Sequence, residues 1–392
     1  MFSGILLYKL IIAVAVFAVS LGVAAYATYG ERKVAAFLQD RIGPNRAGIF
    51  GLLQPIADGV KMITKEEFIP AEANKWLFIL GPCIAMFVAN MSGVVIPWAR
   101  PTTIDGQAFT FQITDINVGI LWVFGIVSIG VYGIMIGGWS SNNKYSLLGA
   151  LRASSQMISY ELAMGLSLVA LIMTTGTLSV NEIVEQQDFG YCNFVYQPLG
   201  FLIFLICAFA ETNRAPFDLP ETETELVGGY HTEYSSMKLG FYLFSEYINM
   251  FISSAVMASL YFGGYHFPFE NELMQITGEF WIRIIGAGVF LGKVIGFILF
   301  FMWVRWSIPR FRYDQLMNLG WKTLLPLSIA NLVITGIVVA FHEGWFKEIL
   351  MNITNWVIHN KLYIRIFVVL IVLVVGYLIR TYGTNEKNKL EH

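Results

Sequence analysis

The chain has 392 residues, of which 56% are hydrophobic and 13% are charged, and its formal net charge is -2 at pH 7. Charged residues are about half as frequent as the roughly 25% of a soluble globular domain. This composition excludes an ordinary soluble enzyme, gives no sign of a nucleic-acid partner, and predicts an all-α, polytopic helical bundle in a lipid bilayer.

Apolar segments of spanning length recur along the whole chain. A helix needs about 20 apolar residues to cross the hydrocarbon core, and nine segments approach or exceed that length. They cover residues 5–29, 76–97, 117–139, 159–180, 197–213, 238–263, 284–304, 323–341 and 363–380. The connections between them are too short for a separate domain, so residues 1–392 are expected to form one integral membrane domain.

The distribution of lysine and arginine predicts the orientation. Eighteen of the 25 lie in the odd-numbered connections or the C-terminal tail, 5 lie in the alternate connections, and 2 lie inside spans. Cytoplasmic loops carry the excess of these residues. The N-terminus is therefore expected outside and the C-terminus inside, in a multi-pass protein that its length and ninth span suggest is bacterial and resides in the inner membrane.

The first cytoplasmic connection, residues 30–75, contains an amphipathic pattern over residues 47–65. Its apolar residues project from one side at helical spacing, and Gln54, Asp58, Lys61 and Lys65 lie on the other. One interpretation is an anchored interfacial helix. The other is a helix whose apolar side borders an entrance for a lipid-soluble ligand, with Asp58 meeting the ligand's polar head.

The connection between the fifth and sixth spans, residues 211–237, is strongly acidic. Its carboxylates are Glu211, Asp218, Glu221, Glu223, Glu225 and Glu233, against the one cation Arg214. Ionisable groups beside hydrocarbon cost several kcal/mol and mark transport pathways. Crowded like charges also raise each other's proton affinity, so this segment is expected to take part in proton movement.

Other ionisable residues lie within or beside the spans. Glu161, Glu211, Glu246 and Lys293 outline a path from the acidic connection toward the bilayer centre, although Lys293 could instead tie helices through a glutamate. In the connection 305–322, Arg310, Arg312 and Asp314 are expected to dock against a partner subunit or the acidic connection; basic anchoring is the alternative.

Redox cofactors have no recognisable ligands in the sequence. Cys83, Cys192 and Cys207 are scattered without the CxxC spacing of metal or iron–sulfur sites, and the five histidines are dispersed. Any electron carriers are therefore expected on other subunits.

Three strings closely resemble one family. ERKVAAFLQDRIGPNRAGIFGLLQPIADGVK, AETNRAPFDLPETETELVGGYHTEYSSMKLG and PRFRYDQLMNLGWKTLLPL are similar to the H subunits of NADH:quinone oxidoreductase, the quinone-site membrane subunits of respiratory complex I. The resemblance runs from about Glu31 to Leu327. Members commonly have eight core spans, and a ninth such as 363–380 occurs in some.

The resemblance implies the quinone-binding membrane anchor of a proton-pumping enzyme. Ubiquinone or menaquinone would be the substrate. Flavin and iron–sulfur clusters would lie on partner subunits of the peripheral arm, and small membrane subunits and antiporter-like subunits would be further partners.

Site residues follow from the motif positions and from the reasoning above. The expected quinone-binding residues are Glu31, Arg32, Arg41, Asp58, Lys61 and Arg214. The expected proton-coupling residues are Glu161, Glu211, Asp218, Glu221, Glu223, Glu225, Glu233, Glu246 and Lys293.

Two other functions stay open at this stage. The chain could be the related anchor subunit of a membrane-bound hydrogenase, which needs no quinone chamber. It could also be a stand-alone cation transporter, although such transporters often show internal repeats and no convincing repeat is visible.

Overall fold

The computed structural model describes residues 2–104, 107–187, 192–218, 227–267, 270, 273 and 278–340. Contacts between Cα atoms divide the chain into two compact units, Met1–Thr335 and Gly336–His392, and every site discussed below lies in the first. The ninth predicted span, 363–380, lies outside the described residues, and the interpretation as one domain stays a prediction.

Helices form about three quarters of the described structure. Seven are long and apolar enough to cross a membrane, and one further apolar helix is shorter. The seven are α1 (Phe2–Leu38), α3 (Lys75–Met91), α4 (Gly119–Ser140), α5 (Lys144–Thr175), α9 (Ser236–Tyr261), α10 (Glu279–Ser307), and a last one that runs from α11 (Tyr313–Asn318) through the π-helical Leu319–Leu324 into α12 (Leu325–Ala340). The shorter one is α8 (Pro198–Glu211). These helices confirm the all-α polytopic class, and the shortness predicted for the fifth span is confirmed by α8.

Short elements fill the connections. They are α2 (Gln54–Thr64), α6 (Val180–Glu185), α7 (Asn193–Tyr196), and 3₁₀ turns at Ile49–Gly51, Ser92–Val95 and Gly229–His231. A small antiparallel hairpin of β1 (Thr102–Ile104) and β2 (Gln107–Phe109), in which Thr102 pairs with Phe109, stands in the connection between α3 and α4.

Several helices extend beyond their predicted spans, and α1 and α5 are clear examples. The predicted first span ends at residue 29, but α1 continues to Leu38, and α5 begins at Lys144 instead of residue 159. Helical hydrogen bonds are local, so a helix of good formers continues past the apolar segment. The chain leaves α1 only where Asp40 takes a φ of 51°, and Asn143 starts α5 by accepting a hydrogen bond from the backbone N–H of Tyr145.

The surface helix is shorter than predicted, because the helical pattern at 47–65 is interrupted near its start. Gly48 and Gly51 have φ values of 73° and 85°, and a Cβ at Gly51 would lie 2.4 Å from the carbonyl oxygen of Pro44. The regular helix α2 therefore begins only at Gln54 and ends at Thr64. Its residues Ile56, Val60 and Ile63 are more than half exposed.

Close helix packing surrounds α9, which contacts α1, α3 and α10, while α5 packs between α4 and α8. A Cβ at Gly81 of α3 would lie 2.5 Å from the hydroxyl of Tyr242 and 3.0 Å from the carbonyl oxygen of Gly133. Small residues thus let α3, α4 and α9 approach each other, as is common between membrane helices.

Candidate functional site

A cavity of about 560 Å³ opens between the C-terminal part of α1, the surface helix α2, the first half of α9 and the end of α10. Its apolar wall includes Leu243, Phe244 and Trp306. Its charged lining residues are Glu31, Arg32, Arg41, Asp58, Lys61 and Arg305. Five of the six residues predicted to bind quinone therefore line one cavity.

The carboxylate of Glu31 is the centre of this charged lining. It is 6% exposed and lies 3.0 Å from Nη1 of Arg214, the sixth predicted residue, which stands behind the cavity wall. Arg305 pairs with the other carboxylate oxygen, and the hydroxyl of Tyr247 donates a hydrogen bond of 2.8 Å. One carboxylate therefore joins α1, the acidic connection, α9 and α10.

Arg214 is buried against an aromatic ring. Its guanidinium lies 4.0 Å from the ring centroid of Tyr247, and its Nε and Nη2 have no hydrogen-bond partner among the described residues. Burial opposes the charged form, but the interactions with Tyr247, Glu31 and Glu246 outweigh it, so the pKa of Arg214 is raised and the group stays charged.

A second ion pair bridges the helices that flank the cavity. Nη1 of Arg32 on α1 lies 2.7 Å from Oδ2 of Asp58 on α2, and Gln54 donates to the other oxygen of Asp58 at 3.2 Å. Both side chains of the ion pair are partly exposed, and such pairs contribute only about 0–1 kcal/mol. The Arg32–Asp58 pair can therefore exchange its partner for a ligand at little cost.

Sequence reasoning missed two important members of the site. Tyr247 lies on α9 with no motif of its own, and Arg305 was read only as part of a basic connection. Both contact Glu31, whose partners are 216 and 274 residues away along the chain. No local sequence signal could have found these contacts.

The acids of the predicted coupling path are partly brought together. Glu246 accepts a hydrogen bond of 2.9 Å from the hydroxyl of Tyr230, and Glu246 and Glu211 line the same small cavity of about 30 Å³. Glu211 also lines a second cavity of about 30 Å³ toward Phe124. A cavity needs about 10–15 Å³ to hold a water molecule, so both could be hydrated.

Glu161 lies beside this pair. It accepts a hydrogen bond from the hydroxyl of Ser128 on α4, and its charge interacts with that of Glu211. The structure thus places Glu246, Glu211 and Glu161 in one region of the bundle.

Other predicted residues of the acidic connection have separate positions. Asp218 is buried and lies 3.0 Å from Nη2 of Arg310, so this predicted docking residue pairs with the acidic connection of its own chain. Arg312 and Asp314 remain exposed. Glu233 accepts a hydrogen bond of 2.6 Å from Asn143 at the start of α5. Glu221, Glu223 and Glu225 lie outside the described residues.

Lys293 is placed away from the acids. Its ammonium group donates three hydrogen bonds of 2.7–2.8 Å to the carbonyl oxygens of Phe262, Gly264 and His266, which follow α9 at the end of the bundle that holds the hairpin. The tie between helices that the sequence suggested therefore exists, but it is made to backbone carbonyls instead of a glutamate.

Fold and site together define a class of protein, a polytopic helical membrane protein that carries charged and protonatable groups within its bundle. Comparison with known proteins is more specific. The sequence profile of the NADH dehydrogenase family matches residues 10–336.

Several curated relatives cover most of the chain. The NADH-quinone oxidoreductase H subunit 1 of Cytophaga hutchinsonii is 65% identical over 331 residues, which are 84% of this chain and 96% of the relative. The NADH-quinone oxidoreductase H subunit of Flavobacterium johnsoniae is 58% identical over 87% of this chain and 97% of its own. NADH-quinone oxidoreductase subunit 8 of Rhodothermus marinus is 48% identical over 81% and 93%.

The chain therefore belongs to the NADH dehydrogenase family, among the H subunits of NADH-quinone oxidoreductase. It is a subunit of a proton-translocating enzyme complex. The resemblance seen in its sequence is confirmed. The comparisons favour a subunit of NADH-quinone oxidoreductase over the anchor of a membrane-bound hydrogenase or a stand-alone cation transporter.

Proposed function

We propose that the cavity beside α2 binds the head group of a quinone, ubiquinone or menaquinone, and that the chain couples reduction of this quinone to proton translocation. The observation that carries the proposal is the gathering of Glu31, Arg32, Arg41, Asp58 and Lys61, all expected from the sequence, around one cavity.

The chemistry of the cavity suits a quinone head group. Its volume lies within the range of about 300–1,000 Å³ found for small-molecule sites. Phe244 and Trp306 offer aromatic contact to a flat ring, while Arg32 offers a donor to a carbonyl oxygen. Cations near the ring would also stabilise the negative charge that arrives with electrons.

The surface helix suits the isoprenoid tail. Ile56, Val60 and Ile63 are all more than half exposed on α2, while Asp58 and Lys61 of the same helix line the cavity. A ligand that is apolar at one end and polar at the other would contact both sides of this helix as it enters from the bilayer.

Coupling would begin at Glu31 and Arg214. Two unit charges 4 Å apart interact by about 4 kcal/mol at an effective dielectric of 20, so an anionic quinone would compete with Glu31 for nearby cations. Arg214 also interacts with Glu246. A change in its pairing would therefore alter the charge balance at Glu246 and then at Glu211 and Glu161.

Partner subunits would carry the electrons and complete the proton path. Flavin and iron–sulfur clusters would lie on peripheral-arm subunits that dock near Arg312 and Asp314. Antiporter-like subunits would lie beyond the acids. The complex would reside in a bacterial inner membrane, with the cavity on the cytoplasmic side. Lys293 is left out of the route because its three bonds are made elsewhere.

A cavity-filling variant tests quinone binding. Gly240 lines the cavity and a Cβ there meets no described atom within 4 Å, so Gly240→Leu would occupy ligand space without a clash at Cβ. We expect quinone reductase activity to fall at least about tenfold, while electron transfer from NADH to an artificial acceptor of the peripheral arm is unchanged. Gly292→Leu on α10, equally open at Cβ, is the matched control. Normal quinone reduction in Gly240→Leu would overturn the proposed site.

A charge-removing variant tests coupling. Glu211→Gln keeps the shape of the side chain but cannot carry a proton as a carboxylate does. We expect the assembled complex to lose most of its proton pumping in vesicles, with a decrease of about tenfold or more. Glu182→Gln, on the short helix α6, is the control. Full pumping by Glu211→Gln would remove this residue from the route.

A further inference from the structure

The end of the surface helix α2 is bound to the start of α9 by hydrogen bonds from two adjacent serines. The hydroxyl of Ser236 donates to the carbonyl oxygen of Met62 at 3.0 Å. The hydroxyl of Ser235 donates to the carbonyl oxygen of Glu66 and accepts from the N–H of Phe68, both at 3.3 Å. Two consecutive residues of one segment thus hold the backbone of the other.

An ion pair completes this contact. Nζ of Lys238 lies 2.6 Å from Oε1 of Glu67, and the side chain of Lys238 is 9% exposed while that of Glu67 is 62% exposed. The ammonium group also lies 5.7 Å from the ring centroid of Phe78. We call residues 62–68 together with residues 235–238 the clasp.

Anchoring to lipid does not account for Lys238. A lysine that holds a helix at the membrane surface extends into the interface, whereas Lys238 is buried. Its place in the first turn of α9 is also unfavourable, since the N-terminal end of a helix carries partial positive charge. The carboxylate of Glu67 supplies the counter-charge for this ammonium group, so the position of Lys238 depends on the chain segment that follows α2.

Backbone geometry also points to a held segment. Ser236 has a φ of 57°, a conformation that residues other than glycine keep only where the surroundings impose it. The hydrogen bond from Ser236 to Met62 and the neighbouring ion pair supply such surroundings.

The clasp stands where two walls of the cavity meet. Met62 lines the cavity and is also bound by Ser236, and Gly240, two residues after Lys238, lines it from the other side. The relative position of α2 and α9 at this point therefore sets the width of the cavity beside the exposed apolar face of α2.

We propose that Lys238 is a positioning residue for the substrate's tail: with Glu67 it holds α2 at the distance from α9 that admits a long isoprenoid chain. This inference rests on the proposed function. A long tail contacts both walls along its length, whereas a short-tailed quinone reaches the head-group position with few such contacts. Loosening the clasp therefore weakens binding of the long-tailed substrate more.

The experiment compares a long-chain and a short-chain quinone analogue in the purified, reconstituted complex. For Lys238→Met we expect the KM for the long-chain quinone to rise about tenfold, less than the roughly 100-fold that misplacement near reacting atoms can cause. The KM for the short-chain quinone and both kcat values are expected to change less than about twofold. Lys238→Arg keeps the charge and should restore the long-chain KM.

Exchanging the charges of Lys238 and Glu67 tests whether the effect on KM comes from the ion pair between them. The double variant Lys238→Glu with Glu67→Lys should recover most of the long-chain KM, whereas Lys238→Glu alone should not. An equal fall of kcat for both quinones in Lys238→Met, or an unchanged ratio of the two KM values, would overturn the proposal.

Glu67→Gln keeps the inference testable if Lys238→Met fails to assemble, because Glu67 is 62% exposed and glutamine removes its charge without changing the size of the side chain. An unchanged KM ratio in assembled Glu67→Gln would also overturn it. Gly240→Leu shows whether such a result contradicts only the clasp or also the proposed quinone site. If Gly240→Leu impairs quinone reduction while the clasp variants leave the KM ratio unchanged, the clasp alone is wrong; if Gly240→Leu has no effect, the quinone site itself is wrong.

Discussion

Two cavities of nearly equal volume differ completely in their lining. The cavity beside α2 measures about 560 Å³ and is bordered by six charged residues. The other measures about 580 Å³, lies between α1, the connection that holds the hairpin and the start of α10, and has Arg283 as the one charged residue in its described lining. Size therefore does not distinguish the two cavities, whereas the arrangement of charge does, and on this ground the proposed quinone site is the cavity beside α2.

Two cations, the partly buried Lys293 and the buried Arg214, show the same contrast. Lys293 directs three hydrogen bonds to three carbonyl oxygens, which uses all of its donors. Arg214 is bound to Glu31 through one nitrogen, and its Nε and Nη2 have no partner within the described part of the chain. A cation with spare donors can change partners when a charge arrives, whereas a saturated one holds its neighbours in place.

Removing the charge of Glu31 should have the largest effect. Glu31→Gln leaves Arg214 buried without its anion, and breaking a buried ion pair costs about 3–5 kcal/mol. We expect quinone reductase activity to fall about 100-fold or more and the melting temperature of the complex to drop. Activity assays and thermal unfolding check this, with Glu66→Gln on the exposed segment after α2 as the control. If Glu31→Gln keeps most of its quinone reductase activity, the reaction does not depend on the charge of Glu31.

Lys293→Met should lower stability without removing pumping. Three carbonyl oxygens lose their donor, and each hydrogen bond contributes about 0.5–1.5 kcal/mol, so a loss of about 2–4 kcal/mol is expected in thermal unfolding. Pumping per assembled complex should stay within about twofold. Loss of pumping at unchanged stability would restore Lys293 to the proton path that its place in the span suggested.

The hairpin end of the bundle should show a pH effect of smaller size. Glu270 lies 2.6 Å from Nη1 of Arg100 and 2.8 Å from Nδ1 of His266. Burial alone would raise the pKa of Glu270, but His266 and Arg100 outweigh it and hold the pKa below its usual value of 4.5. The stabilisation is therefore present above pH 4.5 and is lost as the pH falls through the lowered pKa.

The measurement compares parent and Glu270→Gln. Their difference in melting temperature should be present above pH 4.5 and should shrink as the pH falls below about pH 4. A difference that does not depend on pH would show that packing, and not charge, accounts for the role of Glu270.

Filling the apolar cavity should have the smallest effect on function. Ala287 lines it from α10, so Ala287→Leu adds apolar volume away from the charged residues. We expect quinone reductase activity within about twofold of the parent, in contrast to Gly240→Leu. A tenfold loss would show that this second cavity also serves the reaction.

The sequence predicted those lining residues of the cavity beside α2 that lie in local patterns. Asp58 and Lys61 fall at helical spacing on the polar side of α2, and Glu31 lies in a string that marks the family. Arg305 and Tyr247 could not be found in this way, since they meet Glu31 only through packing of distant helices.

The predictions of helix ends and of the partner of Lys293 were wrong for related reasons. Hydropathy marks where a helix crosses lipid but not where it ends, so the extensions of α1 and α5 were missed. The turn that follows α9 presents its carbonyl oxygens to Lys293 because Gly263 and Gly264 take φ values of 70° and 51°. A lysine inside an apolar segment reveals nothing about such a distant turn.

The triple attachment of Glu31 has a consequence for biogenesis. Its partners Arg214 and Arg305 are separated from it by 183 and 274 residues, and such distant contacts form late in folding. As the ribosome feeds helices into the membrane in order, α1 arrives before either of its arginine partners, and Glu31 gains Arg214 first and Arg305 later. The lining of the cavity is therefore incomplete in every truncated translation product that stops before Arg305.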